Sequence, residues 1–408
     1  MFKRIPSVSL KRWEVSTSTG NHFDFLDGLR GVAILLVVSY HTLYTNPQHG
    51  MLARLVECII LAGWMGVPIF FGLSGFLISY PFFQKREKDT RFWYPAGYAW
   101  RRVGKILPPF YLSVLLFIIY YLWLFHDPAY LNSAWKAASG YSYFCTLQIT
   151  PDFNGVYWSL YLESFFYLSL PFLFWLLRGR SLETTTMILF WGMFLGAILI
   201  RYCTWPSGLY VMPDHKSSMH QVLWQQLNRF PCQMDYFAWG VVFAGVYAKL
   251  HQIREKIPAL SLFGYLGMAL MLVTLISWGY WVAHFNVRDE PTRWSIEFSQ
   301  WLPGVATMLM LFFVFDPQSF GARILGCAPL RFTGIISYEW FLFHGPVVKW
   351  FHDHSGQAHG NILAYAWRCL LPLALTFVFA ALVYRYFSLP ILRFIRNLTK
   401  KHTQSRTL

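Results

Sequence analysis

Arg30 and His41 stand eleven positions apart on one apolar segment, Asp27-Gly-Leu-Arg-Gly-Val-Ala-Ile-Leu-Leu-Val-Val-Ser-Tyr-His41. A helix rises about 1.5 Å per residue, which separates the two side chains by roughly 16 Å along its axis. With Arg30 at the edge of a bilayer whose hydrocarbon is about 30 Å thick, His41 is expected near the middle. Charged and imidazole groups are costly at that depth, so the pair predicts a cavity or reaction site. A permanently charged guanidinium can grip an anion, and an imidazole that titrates near neutrality can accept a proton. Taken singly, Arg30 also reads as a snorkelling boundary residue, and His41 as a partner for a neighbouring helix.

A second cationic pair follows in Arg101-Arg102-Val-Gly-Lys105-Ile-Leu-Pro108-Pro109. Arg102 and Lys105 are three apart and share a helix face, so with Arg30 they could meet a phosphorylated ligand. Ordinary basic residues of a cytoplasmic edge would look the same. From the opposite side come Trp158-Ser159-Leu-Tyr-Leu-Glu163-Ser-Phe-Phe-Tyr167 and Phe343-His344-Gly-Pro346. A buried carboxylate must be neutral or find a partner. For Glu163 the choices are His41, Arg30, His344 or a hydroxyl. Gly66-Val-Pro68-Ile-Phe-Phe-Gly72-Leu-Ser74-Gly75 supplies small residues in a bulky stretch. Close helix approach is the default account, and a backbone break lining a cavity is the other. His352, His354 and His359 share one external segment without a defensible metal spacing, and no metal is expected. Of the six cysteines, Cys203 and Cys232 could pair across an external segment; the rest read as small buried apolar residues.

The elements that must position these groups are membrane helices. The 408 residues are 56% hydrophobic and only 13% charged, too few charges to clothe a soluble domain of this size. Ten segments are long enough to span, near 24–44, 60–82, 104–125, 157–177, 184–203, 233–250, 258–281, 300–317, 331–350 and 362–386. Basic residues crowd alternate connections. Lys85, Arg86, Lys88, Arg91, Arg101, Arg102 and Lys105 fall on one side, whereas Arg54, Lys136, Arg201, Lys216, Arg288 and Arg293 are isolated on the other. That asymmetry predicts an all-α polytopic protein of about ten transmembrane helices with both termini cytoplasmic. No cleavable signal is read before Phe23. The expected organisation is a tail over 1–22, a membrane domain over 23–392 and a basic tail over 393–408. The net charge of +15 resides at span ends, which fits anionic lipid and excludes nucleic acid as a partner. Phosphate loops, dinucleotide fingerprints, zinc-protease helices and hydrolase elbows are absent. A transporter, or a sensory or assembly subunit, would also keep polar groups inside a bundle, although no inverted half-to-half symmetry is evident.

In these motifs and their order the chain resembles the acyltransferase-3 family of integral membrane proteins. The resemblance runs from Leu26-Asp27-Gly28-Leu29-Arg30 through His41 and Gly66–Ile78. It continues with Arg102-x-x-Lys105-Ile-x-Pro108, Trp158-Ser159-Leu160-x-x-Glu163-x-x-x-Tyr167 and Asp235 to Gly240. It ends at Gly334-Ile-Ile-Ser337-Tyr338-x-x-x-x-Phe343-His344-x-Pro346. Lys105 replaces a commoner arginine, Pro68 stands where relatives often carry an acid, and Ser388-Leu389-Pro390 lacks a glutamate. The resemblance implies transfer of a short acyl group, acetyl or succinyl, from coenzyme A to a hydroxyl of a polysaccharide or lipid-linked glycan, at the bacterial inner membrane. It implies catalytic roles for His41, Glu163 and His344. Arg30, Arg102 and Lys105 would hold acetyl-CoA, and Trp158, Ser159 and Tyr167 the acceptor. The chain ends soon after its last span, so the hydrolase-like domain fused to some relatives is not expected.

Overall fold

The computed structural model describes Trp13 and residues 23–42, 51–92, 97–126, 128–140, 154–204, 231–250, 258–284, 293–354 and 362–404. Every regular element among them is helical. In chain order these are α1 (Asp24–Thr42), α2 (Met51–Leu61), a 3-10 turn at Gly63–Met65, α3 (Gly66–Arg86), α4 (Tyr98–Phe125), α5 (Ala129–Ser139), α6 (Tyr157–Leu176), α7 (Leu182–Thr204), α8 (Met234–Leu250) and α9 (Ser261–His284). Then follow α10 (Arg293–Met310), α11 (Phe320–Leu325), α12 (Ala328–Ile335), α13 (Ser337–His354), α14 (Ile362–Val383) and α15 (Leu389–Gln404).

A helix lies at each of the ten expected spans. Among the described residues, eight are long and apolar enough to cross a bilayer. The exceptions are α8 and α13. The first has 17 residues and buries twelve of them, and the second carries Glu339, His344 and Asp353. α8 is apolar and merely short, whereas α13 is largely enclosed by other helices, so protein more than lipid solvates it and its hydropathy need not be high. The ninth expected span is broken: α12 stops at Ile335, Ile336 takes φ −89° and ψ 3°, and α13 starts at Ser337. Residues 393–404, expected as a tail, continue the helical run past a π turn at Tyr384–Ser388.

Close approach explains the small residues. α3 is unbroken from Gly66, and a Cβ on Gly75 would lie 2.3 Å from the Phe237 carbonyl oxygen of α8. On α8, a Cβ at Gly240 would meet the Gly72 carbonyl oxygen at 2.0 Å. α1 is held from another side by α12, where Gly31 would meet the Leu330 carbonyl oxygen at 2.1 Å. Without hydrocarbon–water contrast to drive association, backbone packing of this kind holds membrane helices together.

Two charges expected at span ends are buried instead. Arg86 is 0% exposed and donates to the carbonyls of Phe92, Phe174 and Leu177, covering the open C-terminal end of α6. Arg201 is buried against Asp235 of α8 at 2.9 Å and donates to the Cys232 carbonyl. Cys203 and Cys232 are both free thiols, so they do not pair; Cys145 and His359 lie outside the described residues.

Candidate active site

α1 spans 19 residues, about 28 Å of rise. Arg30 is already two turns inside it and His41 is its penultimate residue, so His41 stands at the far end of the described helix rather than midway. Its ring is exposed, whereas His344 is fully buried.

One cavity, about 770 Å³ with its mouth included, is lined by Arg30 of α1, Arg102 and Lys105 of α4, and Ser159, Glu163 and Tyr167 of α6. Helices distant in sequence therefore bring six of the expected site residues to one wall. Phe70, Leu73 and Leu77 of α3 give it an apolar side, and Ser337, Tyr338 and Phe341 close it from α13. Three cations facing a single carboxylate leave the chamber electropositive, which suits a polyanionic ligand. Arg102 Nε is buried with no hydrogen-bond partner, and its guanidinium carbon stands 5.8 Å from the centre of the Tyr167 ring. The arginine is thus oriented by an aromatic face while a donor is left over.

Glu163 takes its partners from the hydroxyl option. Ser74 Oγ donates to its Oε1 at 2.5 Å, and the Tyr167 hydroxyl donates to the same oxygen. The carboxylate belongs to the cationic chamber and is not bonded to either imidazole. Ser159 donates to the Val156 carbonyl at 3.2 Å. Trp158 does not line the chamber; it packs edge-on to Phe71, 6.3 Å between ring centres.

The imidazoles form a separate pair. His344 Nε2 lies 3.1 Å from His41 Nδ1, with ring centres 5.0 Å apart. Carbonyl oxygens only accept, so their positions fix the protons. His344 Nδ1 donates to the Phe341 carbonyl at 2.8 Å, which leaves its Nε2 as an acceptor. His41 Nδ1 lies 3.0 Å from the Val37 carbonyl and must carry hydrogen as well, shared between that oxygen and His344 Nε2. The lone pair of His41 Nε2 is then free to take a proton. Asn154 fixes the partner helix, its Nδ2 donating to the Leu342 carbonyl at 3.0 Å. Phe341 lines the chamber, and its ring is 5.9 Å from that of His344.

The sequence reading missed Ser74, Ser337 and Tyr338. In sequence Ser74 stands out only as a small residue, although a hydroxyl amid glycines and bulky side chains is itself a polar signal. Ser337 is buried on the chamber wall with no partner for its hydroxyl, and Tyr338 donates to the Ile106 carbonyl at 2.9 Å.

The family profile described as an acyltransferase domain matches residues 23–385. The chain belongs to the acyltransferase-3 family. It is 24% identical over 387 residues to a peptidoglycan O-acetyltransferase, OatA, of Listeria monocytogenes, covering 90% of this chain and 55% of that protein. It is 24% identical over 385 residues to the O-acetyltransferase OatA of Staphylococcus aureus, covering 90% and 56%. The chain thus spans little more than half the length of these relatives. No solved structure matches. The described structure is that of an all-α polytopic membrane protein, and the chamber and histidine pair lie within the matched region. Among the described residues, no group of three His, Cys, Asp or Glu side chains is placed to hold a metal ion.

Proposed function

We propose that the protein transfers an acyl group, acetyl by preference, from a coenzyme A thioester to a hydroxyl of an envelope glycan. The observation that carries this reading is the arrangement along α1: a three-cation chamber around Arg30 and, about 16 Å farther along the helix, a histidine whose Nε2 is free to accept a proton.

The phosphates of the donor suit Arg30, Arg102 and Lys105, where charge-assisted hydrogen bonds are strong. Lys105 offers a point charge instead of a fork, so the bidentate contact falls to Arg102 and Arg30. An extended pantetheine arm covers the rise to His41. There the acceptor hydroxyl attacks the thioester carbonyl while His41 Nε2 takes its proton. The new C–O bond forms, the C–S bond breaks, and the same proton passes to the departing thiolate. His344, neutral and anchored to Phe341, accepts from His41 Nδ1 and holds the ring in the reactive tautomer. Glu163 offsets part of the cationic charge and, through Tyr167, sets the face on which Arg102 rests. Ser159 and Trp158 border the route to the acceptor side. Orientation with both termini cytoplasmic would put the chamber within reach of cytoplasmic coenzyme and His41 toward the outer face. The relatives' names support a glycan acceptor, since one of them is a peptidoglycan O-acetyltransferase.

The test uses purified protein in lipid nanodiscs with labelled acetyl-CoA and candidate glycans. The proposal expects free coenzyme to appear in step with alkali-labile label on the glycan. Solute movement without thioester consumption would mark a transporter, and binding without turnover an assembly subunit.

A further inference from the structure

We propose that α15 is a surface helix that seats on anionic phospholipid and thereby sets the position of the Arg102–Lys105 turn, an inference that rests on the coenzyme-binding reading of the chamber. From Ile362 to Gln404 the chain is helical without interruption, 43 residues. At about 1.5 Å per residue that is roughly 64 Å, twice the hydrocarbon thickness, so one end must leave the bilayer core. The end that leaves is α15, which holds Arg393, Arg396, Lys400 and Lys401.

The outward face of the π turn and α15 carries an apolar stripe at helical spacing: Tyr386 (76% exposed), Pro390, Phe394 (64%) and Leu398 (44%). Exposed Arg393 borders that stripe, and half-buried Arg396 follows it one turn farther along the helix. An apolar stripe bordered by arginine matches the boundary between acyl chains and negatively charged headgroups. On the inward face, Ile395 packs against α4 at Gly104, where a Cβ would lie 2.0 Å from Ile395 Cδ1 and 3.2 Å from Cγ1. Gly104 lies between Arg102 and Lys105. A shift of α15 on the membrane surface is therefore delivered to the backbone that carries two of the three chamber cations.

Two measurements on the full chain test this. Fluorescent phosphatidylglycerol and phosphatidylcholine are titrated against the purified protein and its R393Q/R396Q variant. Coenzyme A affinity is then measured in nanodiscs of phosphatidylcholine with and without phosphatidylglycerol. The expected result is about threefold or greater preference for phosphatidylglycerol, lost in the variant, with coenzyme bound about threefold more tightly in the anionic discs. Gly104→Leu should weaken coenzyme binding in anionic discs while leaving the lipid preference intact. Equal binding of the two lipids overturns the inference, as does coenzyme binding indifferent to lipid. Coenzyme that binds in neither disc overturns the function proposed above, and the coupling with it.

Discussion

His344 Nε2 stands 3.1 Å from His41 Nδ1, which joins the buried interior of α13 to the exposed end of α1. Because His344 Nδ1 is committed to the Phe341 carbonyl, only one tautomer of His41 satisfies the contact. His344 is therefore a positioning residue. His344→Ala should lower kcat about tenfold or more and leave coenzyme affinity unchanged, since the His41 ring is then held by the Val37 carbonyl alone and its orientation loosens. His344→Gln, whose amide oxygen can accept from His41, should recover part of that loss. Steady-state kinetics beside a binding isotherm separate the two quantities; a wild-type kcat in the alanine variant would refute the assignment.

Arg102→Ala should weaken coenzyme binding about tenfold or more, because a charge-assisted hydrogen bond is worth about 1.5–3 kcal/mol. Lys105→Arg should preserve binding, since it restores the fork without removing charge. Equilibrium dialysis of labelled coenzyme measures both. Unchanged affinity after removal of Arg102 would detach the chamber from the donor.

Ser74 and Tyr167 donate to the same oxygen of Glu163, so their loss should not be additive. Ser74→Ala and Tyr167→Phe, alone and together, should show a coupling of about 0.5 kcal/mol or more in thermal stability. Tyr167→Phe should keep Arg102 over its ring and so retain coenzyme binding. Strict additivity in the melting series would mean that the carboxylate is not shared as described.

Arg86→Met should destabilise the protein by about 2–4 kcal/mol, because the Phe92, Phe174 and Leu177 carbonyls lose the guanidinium that donates to them. Lys85→Met, one position away and exposed, should stay within about 0.5 kcal/mol. Melting in nanodiscs distinguishes them, and equal midpoints would place Arg86 at the surface.

Local periodicity made part of this legible. The rise of a helix is invariant, so Arg30 and His41 had to share α1, and Arg102 and Lys105 had to share a face of α4. The glycines of α3 announced close approach, and the apolar runs announced the helices. What sequence could not show were contacts between remote segments. Ser74 with Glu163, His41 with His344, and Arg201 with Asp235 each depend on which helices become neighbours. Hydropathy also misjudged depth, because it describes residues as if lipid were the solvent. Arg86 looks like an edge charge until the carbonyls at the end of α6 surround it, and α13 looks too polar to be interior until its neighbours enclose it. The break at Ile336 has no proline or glycine at that position to reveal it.

The central claim is that His41 takes the acceptor's proton while a separate chamber holds the donor. Single-turnover transfer from labelled acetyl-CoA by His41→Ala in nanodiscs, with coenzyme binding measured on the same sample, tests it most directly. The account predicts wild-type coenzyme affinity with transfer slowed by about a hundredfold or more. Transfer at the wild-type rate would contradict it.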